Sequence, residues 1–177
     1  MKKSEMLIGA LLTLGCFGCS QVPPAGTNSA ATNARDVTEI KNLEDRFMAA
    51  FKQKDVNGVM ACYVADESLF VFDVTPPRQY VGAAAYRKDW EDLLALFPGP
   101  IEADMTDVAI TVGGGDIAWG HSIEHTVGSL KDGRKMDFTV RLTDGYRKVN
   151  GKWLIAHEHV SIPVDILTGK ADLSSKP

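Results

Sequence analysis

The sequence predicts an α+β domain, with helices gathered on one side of a curved, mostly antiparallel sheet. The first observation is a change of period at Pro98-Gly99-Pro100: apolar residues recur at helical spacing before it and alternate after it. The second is the punctuation of the later part, where Gly113-Gly114-Gly115-Asp116, Lys131-Asp132-Gly133 and Asn150-Gly151 separate four strand-like segments. The third is composition: of 177 residues, 45% are hydrophobic and 24% charged, which argues against a disordered chain, a coiled coil or a multi-span membrane protein.

The first helix is expected to start at Asp36, with Glu39 completing a capping box, and to bury Val37, Ile40, Leu43, Phe47 and Phe51. Asp55 then caps a short second helix carrying Val59, Met60 and Tyr63; Cys62 in this pattern reads as a small buried hydrophobe. Ser68 to Val74 is aromatic and β-branched, hence a strand, stopped by Thr75-Pro76-Pro77. A third helix spans about Ala83 to Phe97 and turns Tyr86, Trp90, Leu93, Leu94 and Phe97 inward. Strands are expected over 101–112, 117–127, 135–149 and 152–161. Asn150-Gly151 marks a tight hairpin, because both positions must accept positive φ.

The N-terminus has a different character. Lys2 and Lys3 precede an apolar run from Met6 to Gly15, too short to span a bilayer and suited to a secretory signal. Leu12-Thr13-Leu14-Gly15-Cys16 resembles a bacterial lipoprotein signal, with Cys16 as the lipidated residue and Cys19 as the alternative. Residues 1–15 are thus read as signal peptide and 16–34 as a lipidated flexible tether rich in Ala, Asn, Thr and Pro. Residues 35–168 form the domain and 169–177 a polar tail. No aspartate follows Cys16, so the expected address is the outer membrane facing the periplasm. The net charge of −4 provides no basic stripe, which argues against nucleic acid as a partner.

The helix–helix–strand–helix–four-strand order resembles the cone-shaped NTF2-like superfamily, which includes ketosteroid isomerase. The phrases LFVFDVTPPRQYVG, AYRKDWEDLLALFPGP and RLTDGYRKVNGKWLIAHEHVSIP are similar to its SnoaL-like branch. The resemblance implies a homodimer formed through the sheet face and a cavity for a small, largely apolar molecule. It implies a cofactor-free isomerase, cyclase or hydrolase, or else a non-catalytic module for a hydrophobic ligand or partner protein. Against the isomerase pattern, Asp73 falls near the general base, Asp144 near the second acid, and Phe47 where a tyrosine is expected; Tyr63 or Tyr86 would have to replace that phenol. The likeness also places a histidine of the HEHVS strand beside the cavity, which makes His157 and His159 catalytic candidates with Asp73.

Each candidate has a plainer reading. Asp73 precedes a Thr-Pro-Pro turn and suits turn capping. Asp144 could pair with Arg141 or Arg147, although alternation puts Arg141 and Asp144 on opposite faces. His157 and His159 share a face about 6.6 Å apart, whereas His121 and His125 lie about 13 Å apart, so no metal site is expected. Trp119, His121, Ile123 and His125 form the bulkier face of their strand, expected to meet the helices and to bring His121 to the cavity. With His121, the expected substrate-binding set is Tyr63, Trp90 and Asp144.

Overall fold

The computed structural model describes residues 26–174, with side chains from residue 30 onward; the signal sequence, Cys16 and Cys19 lie outside the described residues. Three helices pack with a six-stranded sheet, whose first two short strands lie between the second and third helices. Helix α1 covers Gly26–Lys52, α2 Val56–Met60 and α3 Ala83–Leu94. Strands are β1 Phe70–Phe72, β2 Tyr80–Val81, β3 Glu102–Gly114, β4 Ile117–Ser129, β5 Lys135–Val149 and β6 Lys152–Ser161. The strand order is β2-β1-β6-β5-β4-β3, all antiparallel except β1 beside β6.

Helix α1 begins before Asp36, so residues 26–34, expected in the tether, are helical. Asp36 is consequently no cap. Its carboxylate is buried within the helix and receives Lys148 Nζ from β5 at 2.6 Å. This pair joins α1 to the sheet, and Lys148 also lies over the Trp153 ring. Farther along, Ile40, Leu43, Phe47 and Phe51 are buried at the expected helical spacing.

The strand expected over 68–74 is shortened to three residues, and Tyr80–Val81 adds an unforeseen antiparallel partner. Between them, Pro76-Pro77 is cis. Helix α3 stops at Leu94, but Phe97 remains buried against β4. Gly128 makes that contact possible: a Cβ there would stand 2.6 Å from the Phe97 ring.

All four long strands form where turn chemistry separates them. Asn150 and Gly151 adopt φ of +50° and +77°, as a tight hairpin requires. The β5–β6 register breaks between Gly145 and Tyr146: Tyr146 pairs with Ile155, but Gly145 pairs with His157. Ala156 is the extra residue of a β-bulge. Beyond β6, Val164–Asp165 and Lys170–Ala171 form a small hairpin, β7–β8. The expected polar tail therefore begins inside this hairpin, at its turn, and Thr139 N–H donates to Leu173 O at 2.9 Å.

Candidate functional site

Helices α1 and α3 cover the concave face of the sheet and enclose a cavity of about 320 Å³. Phe47 and Phe51 of α1, Trp90 and Leu93 of α3, and Phe138, Val140 and Leu142 of β5 form apolar walls. Phe47, Phe51 and Tyr86 meet Trp90 edge-on, with ring centroids 5.6–5.7 Å apart. Leu173, from the C-terminal segment, adds to the wall.

Set into this apolar lining are Asp73, Glu124 and Glu158. Glu158 is 2% exposed and accepts Tyr63 Oη at 2.7 Å and Tyr86 Oη at 2.6 Å, one on each carboxyl oxygen. Tyr86 Oη is also 3.1 Å from Asp73 Oδ2. The other Asp73 oxygen accepts the Thr75 backbone N–H at 3.1 Å. Asp73 therefore caps its turn with one oxygen and faces the Tyr86 phenol with the other, so turn capping does not remove it from the cavity wall.

Burial is the main force on these carboxyls, since it disfavours the charged form. It pushes Glu158 up to about 8, assisted by the negative charges of Asp73 and Glu44 and opposed by the two phenol hydrogen bonds. Glu124 is pushed up to about 7 by burial, with Asp73 and Asp104 adding to the rise and Thr126 opposing it. The same surroundings drive the Tyr63 and Tyr86 phenols well above their ordinary range, so both remain hydrogen-bond donors.

A deeper polar group lies behind this wall. Asp144, on β5, pairs directly across from Glu158 on β6 and is 2% exposed. Tyr146 Oη donates to Asp144 Oδ2 at 3.5 Å and interacts with Glu44 of α1. Burial and the charges of Glu158 and Glu44 hold Asp144 well above the usual carboxylate range, while Glu44 itself is pushed up to about 7. Glu44 Oε1, Asp144 Oδ1 and Ser122 Oγ are buried with no partner among the described residues.

The structure thus brings Asp73, Tyr63, Trp90 and Asp144 to the cavity or its immediate support. Three expectations are overturned. His157 and His159 lie on the outer face, where His157 Nδ1 meets Phe70 O at 2.8 Å and both rings contact Phe72. Counting strict alternation from the buried Trp153 and Ile155 would turn these histidines inward; the bulge at Ala156 turns Glu158 inward instead. His121 is likewise exposed beside Trp119. The concave side of β4 takes its smaller residues because close packing leaves little room: a Cβ on Gly120 would stand 2.6 Å from Ile110 Cδ1 and 3.2 Å from Tyr146 Oη. Arg141 is exposed, opposite in direction to Asp144, as alternation requires.

Sequence reasoning missed Glu44, Glu124 and Glu158. Glu124 belonged to the Ala118–Thr126 alternating set assigned to the outside, and Glu158 is the middle of His157-Glu158-His159. For Glu44 a signal was available, since it stands four residues after Ile40 and three before Phe47, on the apolar face of its helix.

A sheet wrapped around helices, enclosing an apolar cavity with acids set in its wall, defines an NTF2-like α+β fold. Within it, the chain belongs to the SnoaL-like domain family, whose profile matches residues 40–165. It is similar to an NTF2-like protein of unknown function from Pseudomonas putida KT2440, with 31% identity and a TM-score of 0.71, covering 84% of this chain and 99% of that one. It shares its fold with a candidate scytalone dehydratase from Novosphingobium aromaticivorans at 17% identity and TM-score 0.67, covering 74% and 86% of the two chains. An NTF2-like superfamily protein from Salmonella enterica shares it at 18% identity and TM-score 0.65, covering 73% and 92%. No curated protein matches the chain.

Proposed function

We propose that the protein is an acid/base catalyst, working without a cofactor on a small, largely apolar organic molecule bound in the cavity. The observation carrying this reading is the proton count around Tyr86. Its single phenol proton cannot serve both Glu158, at 2.6 Å, and Asp73, at 3.1 Å. If both contacts are hydrogen bonds, a second proton resides on a carboxyl, and burial favours Glu158. Asp73, at the cavity wall, then removes a proton from the bound molecule, while Tyr86 and Glu158 pass one back along the hydrogen-bonded chain. Tyr63 holds the far oxygen of Glu158. Chemistries consistent with this set are isomerisation, cyclisation, hydration–dehydration and hydrolysis of substrates with acidic C–H or O–H groups.

The test starts with the ligand that native mass spectrometry finds on the purified full chain. Asp73→Asn and Glu158→Gln should each lower its turnover by about 10²–10⁴-fold while binding is retained. A ligand that the wild type returns unchanged would instead make the domain a binding module.

The same reading extends to the chain's setting. We infer a lipid anchor at Cys16 and a periplasm-facing outer-membrane location, supported by the N-terminal pattern alone. Loss of the lipid-dependent electrophoretic shift in Cys16→Ala, and not in Cys19→Ala, tests this. A homodimer through the outer sheet face is supported by exposed Trp119, Ile117 and Phe72. Sedimentation at the monomer mass would remove it.

A further inference from the structure

Glu124 has no part in the chain of hydrogen bonds from Asp73 to Tyr63. It lies on the concave face of β4, 8% exposed, and lines the cavity. One carboxyl oxygen accepts Thr126 Oγ1 at 2.8 Å; the other accepts no hydrogen bond among the described residues. No cation compensates it there. Its charged surroundings are acidic: Asp73 from the turn after β1, Asp104 from β3, Glu44 from α1 and Asp144 from β5. Helix α3 brings the uncharged Tyr86, Trp90 and Leu93, and Glu158 of β6 shares the wall. Lys135, an exposed residue, is the one basic side chain among the cavity's lining residues, and Asp137 lines the wall beside it. A buried carboxyl held by one hydroxyl and no cation is costly to ionise, and the element that would offset the cost is a positive charge. The same cavity is lined by the rings of Phe47, Phe51 and Trp90, surfaces that favour a cation as well as an apolar body.

We propose that Glu124 is the counter-ion for a cationic group on the ligand, so that the cavity selects an organic amine: an ammonium carried on an apolar, ring-sized body. This rests on the cavity being a ligand site, as proposed above, and goes beyond it in fixing the ligand's charge. A carboxylate ligand would meet Asp73, Glu124 and Glu158 in the wall, with the exposed Lys135 as the one lining group of opposite sign, and is repelled at a pH where those acids are charged. An amine instead ionises Glu124 on binding and leaves Asp73, Tyr86 and Glu158 free for proton transfer.

The experiment compares three probes that share one ring system, 2-naphthylethylamine, 2-naphthylethanol and 2-naphthylacetate, binding to the full chain in calorimetry at pH 8. The amine should bind about 10–100-fold more tightly than the alcohol, the range of one charge-assisted hydrogen bond, and the carboxylate most weakly. Glu124→Gln should remove the amine's advantage while leaving alcohol affinity within about twofold. Wild-type protein gives an independent measure: amine affinity should rise about tenfold from pH 6 to pH 8.5 as Glu124 ionises, with alcohol affinity flat. Alcohol or carboxylate binding as tightly as the amine would overturn the cationic assignment and leave the cavity reading standing. Failure of all three probes to bind would overturn both.

Discussion

The two faces of the sheet are built from the same strands yet hold opposite chemistries. The concave face carries Glu124, Asp144 and Glu158, all buried, beside Tyr146 and across from Tyr63 and Tyr86. The outer face carries all four histidines, Arg141 and a half-exposed Trp119. Groups that titrate near neutrality in water face solvent, whereas carboxyls that ordinarily titrate near 4 are carried toward neutrality by burial. In the proposed function, acid/base capacity comes from displaced carboxyls and not from imidazoles. The assignment of each residue to its face rests on alternation along β4 and on one extra residue in β6.

The largest expected contrast is between two tryptophans. Trp90→Ala should destabilise the protein by about 3–5 kcal/mol in chemical denaturation, because it opens a void among Phe47, Phe51 and Tyr86. Trp119→Ala should cost less than about 0.5 kcal/mol in the monomer, its ring being half exposed. Equal losses would mean that the outer face is itself covered.

Breaking the buried pair that ties α1 to the sheet should come next. Asp36→Asn leaves Lys148 buried without its counter-charge, at a cost of about 3 kcal/mol. Lys148 holds the Asp36 carboxyl below its usual range, so this contribution is present above the unfolded pKa and is lost as pH falls through the folded one. Gly120→Ala, crowding Ile110 and Tyr146 from the concave side, should cost about 1–3 kcal/mol.

The buried acids give the opposite pH dependence. Their folded pKa values, about 8 for Glu158 and about 7 for Glu124 and Glu44, exceed the unfolded values. The folded state therefore binds more protons, and their contribution to stability falls as pH rises from about 4.5 through about 8. Thermal melts from pH 5 to pH 8.5 should show a declining Tm, with a shallower decline in Glu158→Gln. The smallest effect belongs to the outer face. His125 is raised by its hydrogen bond to Asp137, with a second contact to Asp104, so its small contribution is present at low pH and lost as pH rises through its folded pKa. His125→Asn should change stability by less than about 0.5 kcal/mol and leave cavity binding intact.

These contrasts also show which parts of the fold can be read from residues alone. The helices around Phe47 and Trp90 and the strands flanking Asn150-Gly151 declare themselves through period and turn chemistry, which are local properties. Asp73 is legible because a strand ending in an acid before a proline turn places it at the sheet's rim. The faces of β4 and β6 are not local properties. Both sets of alternating residues in β4 mix polar and apolar side chains, and the bulge at Ala156 has no glycine to mark it. The start of α1 is missed because Ala, Asn and Thr suit a tether as well as a helix end. The β7–β8 hairpin is too short to declare itself.

The central claim is that burial in the cavity wall keeps Glu158 and Glu124 protonated far above the usual carboxylate range. Carboxyl-carbon NMR titration of protein labelled at glutamate Cδ measures this directly. Three glutamate resonances should titrate above the usual range: one with a midpoint of about 8 that disappears in Glu158→Gln, and two of about 7, from Glu124 and Glu44, of which one disappears in Glu124→Gln. If every glutamate titrates near 4.5 in the folded protein, the acid/base reading and the sign of the pH–stability curve are both wrong.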